Sequence, residues 1–170
     1  RAISSCDWAS EVIIYDSGST DSTIDIAQKM GAKVIKGQWL GFGPTKRHLS
    51  EQTVNDWIFS IDADEEVSEQ LKTEIKAKFV ELDQNAAYRV PRISFYLGQW
   101  IRFGGWYPDY QIRLFNKKTA MWNSEKVHEK IEAKKYLNLT SNLNHYVFKN
   151  IEHQIQTNNK YSTLLAEKMF

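Results

Sequence analysis

The segment at residues 11–35 constrains the fold most. The apolar, β-branched run at residues 11–15 (EVIIY) is typical of a buried strand, and it leads into a polar turn that begins at Asp16. A stretch with helical periodicity follows, and a second short apolar run lies at residues 33–35. Strand, turn, helix and strand in this order predict an α/β domain, in which a mainly parallel sheet is flanked by helices.

Composition bounds the class of protein. A chain of 170 residues that is 42% hydrophobic can bury the core of one domain. The net charge of +1, from 22 Lys and Arg against 21 Asp and Glu, argues against a nucleic-acid partner. Cys6 is the single cysteine, which excludes an intramolecular disulfide and a thiolate metal cluster. No apolar run of about 18 residues predicts a membrane span.

The chain divides into two parts within one predicted domain, residues 1–170. Residues 1–86 have the α/β pattern, whereas residues 87–170 carry short β-like segments and many aromatic residues, an α+β texture. The sequence starts without Met and stops inside a helical pattern. We therefore expect a fragment that is truncated at both ends.

Four acids follow the strand predicted at residues 57–61, in the stretch DADEE at residues 62–66. Ligands of open α/β sheets bind beyond the carboxyl ends of strands. If the chain stays extended, Asp62 and Asp64 point to the same side, and such a pair needs a cation such as Mg²⁺ or Mn²⁺. Alternatively, these acids cap the next helix, an explanation that is adequate for Glu66.

Positive charge is predicted close to these acids. Lys46 and Arg47 lie in a helix predicted at residues 45–52, where they could bind phosphate or simply form a solvated helix face. Because acids end two strands of one predicted sheet, we expect a shared crevice. Asp16 would face a nucleoside there, and Asp64 a metal-bound diphosphate.

The ordered set of these stretches resembles a known family. EVIIYDSGSTDST, the glycine-rich loop before Lys46, and the strand that ends in DADE are similar to the nucleotide-sugar half of family 2 inverting glycosyltransferases, which have the Rossmann-like GT-A fold. GGWYPDYQIRLF at residues 104–115 and KVHEKI at residues 126–131 resemble the subgroup of lipopolysaccharide core glucosyltransferases. The resemblance implies transfer of a sugar from a nucleotide-sugar donor, expected to be a UDP-sugar, to a bacterial glycan or lipid-linked acceptor.

The resemblance also implies that residues 1–86 form the nucleotide-sugar-binding part and residues 87–170 a smaller α+β acceptor-side part, and it implies roles for residues of the donor half. Asp64 would hold Mg²⁺ or Mn²⁺ as the second acid of a D-x-D element. The family's usual second Asp after the first is replaced by Ser17, and its usual opening strand is not in this sequence. The residues expected at the nucleotide sugar are Asp16, Ser17, Gly18, Lys46, Arg47, Asp62, Ala63, Asp64 and Arg113.

Inversion requires a base on the face opposite the leaving group, and we expect it from the second half of the chain. Asp109 is the preferred candidate because its aromatic neighbours would shield it from water, and Glu129 is the alternative. A simple Pro-Asp turn would also explain Asp109. Trp106 and Tyr107 could stack on an acceptor sugar, and His128 could line the acceptor site or add a metal ligand.

We expect a cytoplasmic protein, with peripheral association with the inner membrane through a C-terminal part that lies outside this sequence. Two other functions stay open from the residues alone. One is a nucleotidyltransferase, which also uses paired acids and Mg²⁺, and the other is a non-catalytic glycan-binding module on the same fold.

Overall fold

A computed structural model describes residues 1–124, 129–148 and 150–169 of the chain. Within these ranges the chain forms four α-helices and eleven strands. The helices are α1 Thr23–Lys29, α2 Phe42–Gln52, α3 Glu69–Lys78 and α4 Ile151–Met169. The strands are β1 Ile13–Asp16, β2 Lys33–Lys36, β3 Trp57–Phe59, β4 Glu65–Val67, β5 Ala86–Tyr96, β6 Gln99–Ile101, β7 Asp109–Asn116, β8 Met121–Trp122, β9 Ile131–Glu132, β10 Lys135–Asn138 and β11 Leu143–His145.

The first part of the chain has the predicted strand, helix and strand. β1 and β2 are parallel and in register from Ile13 opposite Lys33 to Asp16 opposite Lys36, and α1 connects them. A parallel pair needs such a crossover, because a tight hairpin can join only antiparallel strands. The α/β class is confirmed.

The larger sheet is mixed and draws most of its strands from the second part of the chain, for which an α+β texture is expected. Its strand order is β3-β7-β5-β11-β4, and β6 and β10 also pair with β5. β5 is parallel to β10 and β11 but antiparallel to β6 and β7. Short connections between β5, β6 and β7 explain this, since they return the chain without a crossover.

The two acid-terminated strands lie in different sheets, which corrects the expectation of one shared sheet. β1 pairs with β2, β3 pairs with β7, and none of the strands in the described ranges pairs with both β1 and β3. Helix α2 contacts both β1 and β8 and thereby links the first sheet to the second part of the chain.

The core is formed on both faces of β5 and β7. On one face Leu71 and Ile75 of α3 are buried in a cluster with Val90 and Leu114. On the other face Phe115 packs edge-on against Trp122 in a second cluster. Neighbouring residues of β7 thus point to opposite faces, as strand geometry requires.

Some predicted boundaries differ from the structure. The two strands predicted around residues 88–90 and 93–97 are one strand, β5, because Pro91 is accommodated opposite Tyr110. α2 begins at Phe42, three residues earlier than predicted, because Pro44 fits the first turn of a helix, where its missing N–H is not needed. No helix in the part of the chain that the structure describes is long and apolar enough to cross a membrane.

Candidate active site

Three of the four acids after β3, namely Asp62, Asp64 and Glu65, lie in a tight turn at residues 62–65, which we call the acidic turn. The Glu65 amide donates to the Asp62 carbonyl at 3.0 Å, and the Asp62 amide donates to Glu65 Oε2 at 2.9 Å. The chain is therefore not extended here, and the alternation expected for Asp62 and Asp64 does not apply. The turn forms because the Glu65 carboxylate binds back to the backbone at its start.

Asp62 is neutralised by protein cations. Lys46 Nζ lies 2.9 Å from Asp62 Oδ1, and Arg113 Nη2 lies 2.7 Å from Asp62 Oδ2. Burial alone would raise the pKa of Asp62, but Arg113 and Lys46 outweigh it and hold the pKa of this carboxyl well below its usual range. Asp62 thus needs no metal ion to remain ionised.

Glu65 is a site residue that sequence reasoning missed. Its side chain has no exposed surface, and its Oε1 accepts hydrogen bonds from Arg92 at 3.1 Å and from Arg113. The only sequence feature that pointed to Glu65 was its place in the acidic run. Arg92 is a second residue that the sequence patterns did not indicate. A fully buried carboxylate requires such partners, so Glu65 anchors the acidic turn to the sheet.

The helix-capping explanation for Glu65 and Glu66 is wrong. Both residues belong to β4, and Ser68 caps α3 by accepting from the Leu71 amide at 3.1 Å. Glu66 instead accepts from the Tyr146 hydroxyl at 2.6 Å. Both carboxylates are thus bound to partners outside α3, and Ser68 takes the capping position.

Asp64 is the accessible acid of the turn. Its side chain is 51% exposed, and its Oδ2 lies 3.4 Å from Nε2 of His145 at the end of β11. Burial would raise the pKa of Asp64, but the contact with His145 outweighs it and lowers this pKa below its ordinary value. Its carboxylate is thus ionised and open to solvent on one side.

A cavity of about 450 Å³ lies beside this contact. His145 lines it, and so does Asp109, together with Arg92, Trp106, and Gln154 and Asn158 of α4. His145 therefore borders both Asp64 and the cavity that Asp109 faces. His145 thus links Asp64, which is expected at the donor, to the cavity that is lined by Asp109, the preferred candidate base.

The two candidate bases have different surroundings. Asp109 is 36% exposed, with Arg92 Nη2 2.7 Å from its Oδ2 and Gln111 Nε2 2.7 Å from its Oδ1. Glu129 is 20% exposed, and its Oε1 accepts from Lys46 Nζ at 3.0 Å. Asp109 lines the cavity. Glu129 instead pairs with Lys46, which also pairs with Asp62.

The β1–α1 loop holds the residues expected at the nucleoside. Asp16 is buried, and its Oδ1 accepts from the amides of Gly18 and Ser19 at 3.0 Å, while the Ser19 hydroxyl donates to its Oδ2. The Ser19 hydroxyl, followed by the two amides, lowers the pKa of Asp16. Ser17 and Gly18 are exposed. Asp16 thus shapes this loop, and the structure shows no bond between it and the acidic turn among the described residues.

The predicted phosphate ligands are only partly available. Arg47 is 50% exposed and pairs with Glu51 one helical turn away. Lys46 lies between Asp62 and Glu129. Arg113 is 3% exposed and binds Asp62 and Glu65, so the structure directs it inward instead of toward a phosphate. The reason is that β7 places Arg113 on the buried side, where these acids need a cation.

The two aromatic residues expected at the acceptor, Trp106 and Tyr107, have different surroundings. Trp106 lines the cavity and stacks on Tyr96, with ring centroids 5.8 Å apart. Tyr107 donates from its hydroxyl to Asn142 Oδ1 at 3.0 Å and does not line the cavity. His128 lies outside the described residues. Ala63 is an exposed residue of the acidic turn.

Of the two aspartates in the acidic turn, only Asp64 offers an accessible carboxylate that suits a hard divalent cation. Mg²⁺ and Mn²⁺ prefer carboxylate, phosphate and water oxygens, and Mg²⁺ often takes only one or two carboxylates from the protein. Asp64 offers an ionised, exposed carboxylate, whereas both oxygens of Asp62 are bound by cations. No group of three or more His, Cys, Asp or Glu residues within the described ranges could hold a metal by itself. The other ligands would have to be oxygens of a diphosphate and water.

The family match and the individual relatives of this chain all indicate the same class of protein. Residues 5–148 match the sequence pattern of glycosyl transferase family 2. The chain is 41% identical over 123 residues to an uncharacterised glycosyltransferase of Rickettsia typhi, covering 71% of this chain and 42% of the relative. It is 37% identical over 131 residues to another from Rickettsia prowazekii, covering 74% of this chain and 41% of that protein.

A third relative covers nearly the whole chain. The lipopolysaccharide core biosynthesis glycosyltransferase LpsC of Rhizobium meliloti is 29% identical over 181 residues, which covers 99% of this chain and 65% of LpsC. The chain spans about two fifths of the length of the rickettsial relatives, from 41% to 42%.

Proposed function

Because the chain belongs to glycosyl transferase family 2, we propose that it contains the reaction centre of a metal-dependent inverting glycosyltransferase. The proposed donor is a nucleotide sugar with a UDP leaving group. The proposed acceptor is a bacterial glycan or lipid-linked sugar such as lipopolysaccharide core, a class supported by the similarity to LpsC. The proposed setting is the cytoplasm, at the face of the inner membrane where such lipid-linked acceptors lie.

The observation that carries the proposal is the position of His145. It contacts the exposed Asp64 at 3.4 Å and lines the same cavity as Asp109. A sugar transferase needs a site for the departing diphosphate beside a site for the attacking hydroxyl. We propose that Asp64 serves the first of these sites and Asp109 the second.

On the donor side, the protein would bind the nucleotide through its exposed loops. Asp64 would hold Mg²⁺ or Mn²⁺, which when bound would supply positive charge to the leaving diphosphate. Asp16, with Ser17 and Gly18, would face the ribose or base. Lys46 keeps Asp62 neutralised, so the acidic turn does not repel the anionic donor.

On the acceptor side, Asp109 would act as general base. It would accept the proton of the acceptor hydroxyl while the hydroxyl oxygen forms a bond to the anomeric carbon. The bond from that carbon to the diphosphate oxygen breaks, and the electron pair leaves with the nucleoside diphosphate. Asp109 is favoured over Glu129 because Asp109 lines the cavity, whereas Glu129 is not among its lining residues.

The proposed activity is tested by the products formed by the purified full-length protein with Mn²⁺ and a panel of UDP-sugars. We expect release of UDP, and we expect Asp109→Asn to lower kcat by about 100-fold or more, the usual contribution of a general base. Asp83→Asn is the matched control, because Asp83 is also 36% exposed and also pairs with a basic residue, Lys135.

Two results would reject this proposal. One is release of pyrophosphate from a nucleoside triphosphate in place of UDP from a sugar donor, which would indicate a nucleotidyltransferase. The other is binding of glycans with no dependence on nucleotide or metal and no turnover, which would indicate a binding module.

A further inference from the structure

Asp109 is fixed by neighbours on both of its carboxylate oxygens. Arg92 donates to Oδ2 from Nε at 2.9 Å and from Nη2 at 2.7 Å, and Gln111 donates to Oδ1 at 2.7 Å. Two donors from one planar guanidinium define the direction of a carboxylate more strictly than a single ammonium can. Asp109 is therefore held in one orientation at the edge of the cavity.

Arg92 is itself held from the other side. Its Nη1 donates to Glu65 Oε1 at 3.1 Å, and the Glu65 side chain is fully buried. Arg92 lies directly opposite Asp109 in the antiparallel pairing of β5 with β7, so the two side chains share one face of the sheet. One guanidinium thus connects the acidic turn to Asp109.

The need to neutralise the charge of Glu65 does not by itself explain why Arg92 lies at this position. Arg113 already places a guanidinium on Glu65, at the same oxygen that Arg92 contacts. The two other nitrogens of the Arg92 guanidinium, Nε and Nη2, both donate to Asp109. The side chain is 19% exposed, so water competes weakly for these bonds.

From this geometry we propose that Arg92 is a positioning residue, which orients Asp109 toward the acceptor hydroxyl through the ion-pair chain that begins at Glu65. The inference rests on the proposed function, in which Asp109 is the base. Misplacement of a reacting group by about 1 Å can cost on the order of 100-fold in rate. Loss of Arg92 should therefore lower kcat while donor binding is preserved.

The test is steady-state UDP release by the purified full-length protein with Mn²⁺ and the UDP-sugar that gives the highest rate. We expect Arg92→Gln to lower kcat about 10- to 100-fold, with KM for the donor within about two-fold of wild type. Arg92→Lys keeps the charge but loses the fork, and we expect an intermediate kcat. The matched control is Arg89→Gln on the same strand, because Arg89 binds Asn138 and none of these acids.

A double-mutant cycle separates positioning from a structural role. If Arg92 acts through Asp109, Arg92→Gln should lower kcat by less than about two-fold in an Asp109→Asn background. An equal loss in both backgrounds, or a kcat for Arg92→Gln close to that of Arg89→Gln, would overturn the inference. If Arg92→Gln does not fold, as judged by urea unfolding, the same cycle is decided with Arg92→Lys.

The two proposals fail in different ways. Wild-type protein that releases UDP beside an Arg92→Gln variant of equal kcat rejects only the role of Arg92. Wild-type protein that releases no UDP from any donor rejects the proposed function, and the role of Arg92 with it.

Discussion

At the scale of single residues, Glu65 organises the candidate site. It closes the acidic turn through the Asp62 amide and binds two arginines from β5 and β7. Removing one partner from a buried ionic group leaves the others without compensation, which costs more than the pair itself contributes. Glu65 therefore couples the shape of the acidic turn to the stability of the sheet.

We predict that Glu65→Gln lowers the free energy of unfolding by about 3 kcal/mol, because two guanidinium groups lose a buried counter-charge. Urea unfolding at pH 7 measures this. Glu66→Gln is the control on the same strand, since Glu66 is partly exposed and bonds to Tyr146, and it should cost less than about 1 kcal/mol. Equal losses in the two variants would show that Glu65 has no special role.

Sequence patterns could indicate which acids lie near the site but not how they pair. The acidic run after β3 and the acid Asp109 were visible as residue types. The assignment of Glu65 to the interior depends on Arg92 and Arg113, which lie 27 and 48 residues away along the chain. Such contacts follow from the strand register, which a single sequence does not specify.

At the scale of elements, α3 is fixed to the loop between β10 and β11 by Glu74. Its carboxylate accepts from the amides of Thr140 at 3.1 Å and Ser141 at 2.8 Å, and from Lys78 Nζ at 2.8 Å. Burial would raise the pKa of Glu74, but the hydrogen bonds from Lys78, Ser141 and Thr140 outweigh it and lower this pKa to about 2. The folded state therefore favours ionised Glu74.

This pKa gives a prediction with a definite sign. The folded-state pKa lies below the ordinary value of 4.5, so the stabilisation by Glu74 is complete above about pH 4.5 and is lost as the pH falls toward 2. We expect Glu74→Gln to cost about 2 kcal/mol at pH 7 and progressively less at lower pH. Urea unfolding of wild type and variant between pH 7 and pH 3 checks this.

The control for this prediction is Glu69→Gln on the same helix, because the Glu69 side chain is 82% exposed. Its effect should be small at every pH. A cost of Glu74→Gln that stays constant from pH 7 to pH 3 would contradict the account.

Helices were easier to predict than the sheet. Leu71 and Ile75 have four-residue spacing and are buried in α3, as a local amphipathic pattern requires. The mixed larger sheet depends on which distant strands pair, and a local apolar run carries no such information. For the same reason β1 and β3 were wrongly expected in one sheet.

At the scale of the whole molecule, the proposed reaction site lies where the acidic turn, β5, β7 and the end of β11 meet. β11 pairs with both β4 and β5, and its last residue, His145, connects Asp64 to the cavity. The α/β class and the family could be predicted from the order of motifs. The cavity could not, because residues from four separate segments form it.

The central claim is that Asp64 holds a metal ion that binds a nucleoside diphosphate, and the melting temperature with UDP and Mn²⁺ tests it most directly. A ligand at about 100 times its Kd stabilises by about 2.7 kcal/mol, which for a chain of this size raises the melting temperature by about 5 °C or more. We predict this rise for wild type and for the control Asp56→Asn, whose acid precedes β3 and pairs with Lys118. Asp64→Asn should abolish it. An equal rise in Asp64→Asn, or no rise in wild type, would contradict the account.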